Sequence, residues 1–182
     1  MQASQPECVL HLAAQPLVRE SYSDPVNTYD INVMGTVRLL ETIRHVSSVR
    51  AAVVVTSDKC YVNPAGSKAH TEADPLGGRS AYASSKACTE LVAEAYRHSF
   101  LDESDIAVAT VRAGNVIGGG DWAPDRLIPD MVKAFDQGKE LVLRYPDAIR
   151  PWQHVLEPLS GCMRLAELLC TAGREYGRGW NF

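Results

Sequence analysis

Tyr82 and Lys86 stand four residues apart, a spacing that puts both side chains on one face of a helix. An ammonium group beside a phenol favours the phenolate and draws it down from an ordinary value of about 10 towards the range of a general base. Taken alone, the pair is equally a solvated tyrosine and lysine. Thr56, Ser57, Asp58 and Lys59 stand at the C-terminal end of the apolar run Ala51 to Thr56, which reads as a strand. At such a strand end Ser57 can hydrogen-bond a substrate hydroxyl and Asp58 can deliver a proton to it. The bland alternative is a polar turn in which both cap backbone groups. A serine one strand–helix unit ahead of Tyr-x-x-x-Lys is a more specific constellation than either part.

The elements that must position these residues alternate between strand and helix. Cys8 to Ala14 is a short apolar run ending in small residues. Asp24 as N-cap and Pro25 at the first helical position open a helix. Val26, Tyr29, Val33, Val37, Leu40 and Ile43 carry it to about Val46. A turn-rich stretch from Asn63 to Gly78 precedes a helix over Ala81 to Phe100. Ile106 to Arg112 reads as a third strand, followed by a glycine-rich loop, Gly114 to Asp121. Later come a helix near Leu127 to Gln137, a short strand Leu141 to Arg144 and a helix Leu156 to Thr171. The pattern predicts an α/β fold, a partial Rossmann-like doubly wound parallel sheet with the start of a small substrate-binding region. The predicted division is residues 1–113 as a partial dinucleotide-binding region and 114–182 as substrate-binding loop and returning sheet elements.

Cys8 to Ala14 is apolar enough to read as a central strand, since a bare apolar edge invites aggregation. Doubly wound dinucleotide sheets begin with a strand leading into a G-x-G-x-x-G turn, and no such turn follows any strand here. Gly118 to Gly120 lead into Asp121, Trp122 and Pro124 instead of a helix start. The expectation is that one or more N-terminal βα units are missing from the chain.

Composition narrows the function classes. The 182 residues are 46% hydrophobic, which allows one sizeable core, and the net charge of −4 gives no electrostatic case for nucleic acid or an anionic membrane. Five cysteines without C-x-x-C spacing argue against a disulfide framework or a zinc site. No apolar run approaches a membrane span and no signal peptide is visible, so a cytoplasmic protein without metal is expected.

With His11 to Ala14 (H-L-A-A) and Asn32 in N-V-M-G-T, the Ser57–Tyr82–Lys86 set resembles the extended short-chain dehydrogenases/reductases. T-S-D-K-C-Y (Thr56 to Tyr61), A-G-N-V-I-G-G-G-D-W (Ala113 to Trp122), D-R-L-I-P (Asp125 to Pro129) and R-P-W-Q-H-V (Arg150 to Val155) resemble their nucleotide-sugar 4,6-dehydratases, in particular those acting on CDP-glucose. The likeness runs from about Val9 to Phe182, and W-N-F (Trp180 to Phe182) resembles the start of a further strand. The C-terminus is therefore also expected to be cut short.

The resemblance implies a redox-neutral dehydration with NAD as cofactor. Tyr82, helped by Ser57 and Lys86, would take the proton of the hexose 4-hydroxyl, and Asp58 would act as acid to the hydroxyl leaving carbon 6. An epimerase needs only the Ser–Tyr–Lys set, so Asp58 discriminates the two. Lys59 stands where dTDP-glucose relatives carry Glu. It is read either as a base for the carbon 5 proton, if neutral, or as a cation stabilising the enolate. The resemblance also assigns Leu12, Ala13, Ala14, Gln15 and Val116, with Tyr82 and Lys86, to the cofactor. Ser57, Asn115, Arg126 and Arg150 go to the substrate, arginine suiting bidentate phosphate contacts. Asn32 is expected to support the site, and His154 to be a packed or hydrogen-bonded core histidine. Cys60 and Cys88 read as small packing residues. Helices 24–46 and 81–100 imply a homodimer through a four-helix interface. A chain without the phosphate turn is expected to hold NAD poorly, which leaves a non-catalytic remnant as the alternative to an enzyme.

Overall fold

In the computed structural model, which describes residues 1, 3–62 and 69–182, the strands form where small and β-branched residues run together. They are β1 (Cys8–His11), β2 (Ala51–Val55), β3 (Ala107–Arg112), β4 (Asn115–Ile117), β5 (Trp152–His154) and β6 (Gly179–Asn181). The helices are α1 (Glu20–Ser23), α2 (Pro25–Tyr29), α3 (Gly35–Ile43), α4 (Ala81–Ser99), α5 (Leu127–Asp136) and α6 (Leu156–Ala172).

All pairings in the main sheet are parallel, in the order β1-β2-β3-β6. Alternate residues of β2 and β3 feed opposite cores, as the two-residue period of a strand requires. Ala52, Val54 and Val108 pack with Leu40 and Ile43 of α3 and Ala93 of α4 on one face. Ala51, Val53, Ala107, Ala109 and Val111 pack against Cys162, Leu165, Ala166 and Leu169 of α6 on the other. Fully burying a leucine such as Leu40 or Leu169 stabilises the fold by about 1.5–3 kcal/mol.

Asp24 caps α2 as expected, its side chain accepting from the Asn27 amide at 3.0 Å, with Pro25 at the first helical position. Between α2 and α3 the helix widens into a π-helical turn, Asp30–Met34. The Asn32 carbonyl accepts there from the hydroxyls of Thr36 (2.8 Å) and Thr89 of α4 (3.1 Å). Ser80 caps α4 by accepting from the Ala83 amide at 3.1 Å.

Several expectations change. β1 lies at the edge of the described sheet, not at its centre, because β2 is its one partner among the described strands. No strand forms over Leu141 to Arg144, where Val142 is 80% and Leu143 50% exposed and no sheet face covers them. The glycine-rich segment itself supplies β4, which pairs in parallel with β5. Gly114 is required at that junction, since a Cβ there would stand 2.8 Å from the Pro151 carbonyl oxygen. Of the turn predicted over Asn63 to Gly78, residues 63–68 lie outside those described. Among the described residues no helix is long and apolar enough to cross a membrane.

Candidate active site

β2 ends where chemistry begins. Its register with β3 pairs Val55 with Val111, and the ladder continues as Thr56 N–H donates to Val111 O at 2.8 Å and Asp58 N–H to Ala113 O at 3.0 Å. Ser57 is extended and caps a single 3₁₀ turn, Asp58–Cys60, its Oγ accepting from the Lys59 amide at 3.2 Å. The same hydroxyl donates to Asp58 Oδ1 at 3.1 Å. Serine, acid and lysine are thereby fixed by backbone geometry at the carboxyl end of a central strand.

α4 brings Tyr82 and Lys86 to the same place. Both are buried on the helix face turned to the sheet. Burial pushes the Tyr82 phenol up, while a hydrogen bond with Ser57 pulls it down. Asp58 pushes it up and Arg126 pulls it down. The phenol ends above its ordinary value, against the expected fall, because burial outweighs the downward pulls and Lys86 Nζ turns to the Val55 carbonyl at 3.1 Å. Burial lowers the Lys86 ammonium to about 8, against the opposing field of Glu90.

Lys59 Nζ lies 5.9 Å from the Tyr82 ring centroid. Burial lowers its pKa, Asp58 raises it, and Arg150 and Arg126 lower it. The arginines from the distant D-R-L-I-P and R-P-W-Q-H-V strings therefore lie within electrostatic reach of Lys59. Arg126 NH2 approaches the Pro16 carbonyl at 3.5 Å and its Nε lies 3.9 Å from Asp121. That Nε is buried and has no hydrogen-bond partner among the described residues. Arg150 is exposed. Asn115 lies on β4, its amide donating to Pro151 O at 2.8 Å, and Val116 beside it is exposed.

After β1, Leu12 and Ala13 are exposed and Ala14 is half-buried. Gln15 differs. It is buried, and its side-chain amide donates to Thr28 Oγ1 at 2.9 Å and Leu17 O at 3.1 Å. Asn32 holds this loop in place. Its Oδ1 accepts from Gln15 N–H at 2.8 Å, and its Nδ2 donates to Gln15 O at 3.2 Å and to Ser85 Oγ at 2.9 Å. The residue read as a site support thus ties the loop after β1 to the helix residue next to Lys86.

Contrary to expectation, His154 is exposed and not in the core, because it accepts from the Leu156 amide at 3.3 Å at the start of α6. Cys60 is buried, and burial pushes its thiol up to about 12, far from a reactive thiolate. Cys88 is half-buried. Among the described residues no group of three or more His, Cys, Asp or Glu side chains is arranged to hold a metal ion.

Sequence reasoning missed Glu90 and Arg112. Both are buried and paired at 2.7 Å, directly behind the site. The available signal was Glu90 four residues beyond Lys86, which continues the Tyr82–Lys86 stripe along the same helix face.

The family model for GDP-mannose 4,6 dehydratase matches residues 1–168. A CDP-glucose 4,6-dehydratase of Salmonella typhimurium is 53% identical over 97% of this chain and 51% of that protein. A dTDP-glucose 4,6-dehydratase of Streptomyces griseus is 34% identical over 95% of this chain and 49% of that protein. The solved dTDP-glucose 4,6-dehydratase of Streptomyces venezuelae, with NAD bound, superposes with a TM-score of 0.80 at 30% identity, covering 96% of this chain and 51% of that one. The chain spans about half the length of the curated relatives it matches.

Proposed function

This chain belongs to the GDP-mannose 4,6 dehydratase family, and we propose that it carries the catalytic centre of an NAD-dependent lyase that converts CDP-glucose to its 4-keto-6-deoxy derivative. The observation that supports this reading is the convergence of three groups from separate elements. Ser57 donates to Asp58 at 3.1 Å and stands close enough to the Tyr82 phenol to pull it down. An epimerase has no use for the acid.

The residues present fit the nicotinamide half of the dinucleotide. Lys86 makes one described hydrogen bond, to Val55, and the exposed Leu12 and Ala13 leave the strand end open. Tyr82, Lys86, Leu12, Ala13, Ala14, Gln15 and Val116 would hold it. When bound, NAD would accept the hydride from hexose carbon 4 and later return it to carbon 6.

In this scheme the Tyr82 phenolate takes the proton of the 4-hydroxyl, with Ser57 hydrogen-bonded alongside. The resulting 4-ketone acidifies the carbon 5 proton. Asp58 gives its proton to the hydroxyl leaving carbon 6, so that water departs across carbons 5 and 6. Burial lowers Lys59, Asp58 raises it and two nearby arginines lower it; it serves either as base for the carbon 5 proton or as a cation stabilising the enolate. Arg126 and Arg150 supply cationic donors for the diphosphate, with Asn115 beside them. On this reading residues 1–113 serve the cofactor and 114–182 the substrate. Helices α2–α3 and α4, which expose Val26 and Leu91, pair with those of a second copy, and light scattering showing a monomer would overturn that pairing.

Incubation of the natural-length protein with NAD and CDP-glucose tests the reading by mass. A product one water lighter than substrate is expected. A product of unchanged mass would make the enzyme an epimerase, and no product would remove the proposal.

A further inference from the structure

Glu90 takes no part in the chemistry proposed above, yet it is enclosed at 2% exposure. Its Oε1 accepts from the Thr56 hydroxyl. Its Oε2 accepts from the Thr110 hydroxyl and from Arg112 NH2, each at 2.7 Å. Thr56 also donates to Val111 O at 3.1 Å. Arg112 continues outward, its NH1 donating to the Tyr61 hydroxyl at 2.8 Å and to Glu72 O at 3.1 Å. The Tyr61 hydroxyl donates to Asn181 Oδ1 at 2.6 Å. A Cβ on Gly179 would stand 2.5 Å from Arg112 NH2, so the guanidinium lies against β6 where only glycine leaves room.

One buried carboxylate therefore joins α4, β2 and β3, and through Arg112 reaches the 3₁₀ turn and β6. Its place along the chain gives this a direction. Thr56 immediately precedes Ser57, and Glu90 stands one helical turn beyond Lys86 and two beyond Tyr82. Buried ion pairs are poor sources of net stability, since well-packed apolar residues of similar volume often do as well or better. Fixed geometry is the better account of its presence.

We propose that Glu90 is a positioning residue: its carboxylate fixes Thr56, and with it the backbone entering Ser57 and Asp58, against the helix face that presents Tyr82 and Lys86. The inference rests on the reaction proposed above, and Glu90 touches none of the reacting atoms. Its charge has a second effect, opposing the burial that drives Lys86 towards the neutral amine. The groups in electrostatic reach are few. Lys86 meets Glu90 on its own helix and His11 on β1. Glu90 meets Lys86 and Arg97 on α4, Arg112 on β3 and Cys60 on the turn after β2.

The test compares Glu90→Gln, Glu90→Asp and Thr56→Val in the natural-length protein. Two readouts are used: turnover of CDP-glucose with NAD supplied, and the titration of Lys86 by NMR of 13Cε-labelled lysine without cofactor. Glu90→Gln and Thr56→Val are expected to lower kcat about 10- to 100-fold with KM nearly unchanged, the penalty of a slightly misplaced catalytic group. The Lys86 midpoint is expected to fall in Glu90→Gln and to stay in Thr56→Val. Glu90→Asp keeps the charge with a shorter reach, so it should preserve the midpoint while losing part of kcat. If Glu90→Gln does not fold, the near-isosteric Thr56→Val carries the test. Lower melting temperatures with kcat and the Lys86 midpoint unchanged would reduce Glu90 to a structural strut and overturn the inference. A wild-type protein that turns over no CDP-glucose, with a Lys86 midpoint that still responds to Glu90→Gln, would remove the proposed reaction and support the Glu90 contact.

Discussion

Lys86 Nζ donates to the Val55 carbonyl at 3.1 Å, so the helix that carries Tyr82 is pinned to the last residue of the strand that delivers Ser57. That contact changes what the lysine does. Its ammonium is anchored to backbone and its charge is buried, and the Tyr82 phenol is tuned by Ser57, Asp58 and Arg126 instead. The site is assembled by strand ends and one helix face, with its cationic side supplied from after β3.

Replacing Lys86 with Met is expected to raise stability while removing activity. The lysine sits near 8 when folded, against an ordinary value of 10.5 once unfolding returns it to water. The unfolded chain therefore binds more protons between these values, and stability rises with pH across that window. Below pH 8 the cost of holding the buried charge is fully present, on the order of 3 kcal/mol. Met avoids this cost but loses the bond to Val55, so a net gain of about 1–2 kcal/mol is expected at neutral pH. Urea unfolding at pH 7 and pH 10 measures it: the advantage of Met should shrink at the higher pH. A variant less stable than wild type at both would contradict the argument.

Tyr82→Phe should leave the fold within about 1 kcal/mol of wild type, because the ring stays packed and one hydroxyl is lost. Turnover should fall by about 10²- to 10⁴-fold, the usual worth of a positioned general base. Isothermal titration with CDP-glucose should show affinity close to that of wild type. Substantial residual turnover would move the base elsewhere.

The first three strands, helices α4 and α6 and the Tyr–Lys stripe were legible because buried elements leave apolar runs and helical spacing in the sequence. The apolar runs of β2 and β3 and the capping by Asp24 are local signals that the packed chain keeps. The β4–β5 pair was not legible, since its strands are short and their partners lie far apart in sequence. Leu141 to Arg144 has the residue types of a strand, but only a neighbouring face could have made it one. Glu90 and Arg112 were hidden for a related reason. A charged residue in a helix or at a strand end reads as solvated until its partner is brought within 2.7 Å.

Asp58→Asn and Lys59→Met should separate elimination from oxidation. Neither side chain is needed to remove the 4-hydroxyl proton, so the near-ultraviolet absorbance of reduced cofactor should still appear on mixing with CDP-glucose. Asp58→Asn lacks the proton for the leaving hydroxyl, and Lys59→Met lacks the group suited to the carbon 5 proton. Each should slow water loss by about 10²-fold or more, followed by the mass of the sugar. Equal loss of both phases in Lys59→Met would remove the lysine from the elimination step.

In the proposed reaction Arg126 connects substrate binding to the base. Its Nε is buried with no hydrogen-bond partner among the described residues, and its charge pulls both Tyr82 and Lys59 down. Arg126→Met removes a diphosphate donor and this positive field together. KM for CDP-glucose should rise by about 10-fold or more, as expected for a lost charge-assisted contact of about 1.5–3 kcal/mol. Without the arginine the Tyr82 phenol titrates higher, so the rise of kcat with pH should move to more alkaline values. Arg126→Lys keeps the charge but not the bidentate fork. It should restore the pH profile and only part of the affinity, whereas a purely steric role would leave the profile in place in both variants.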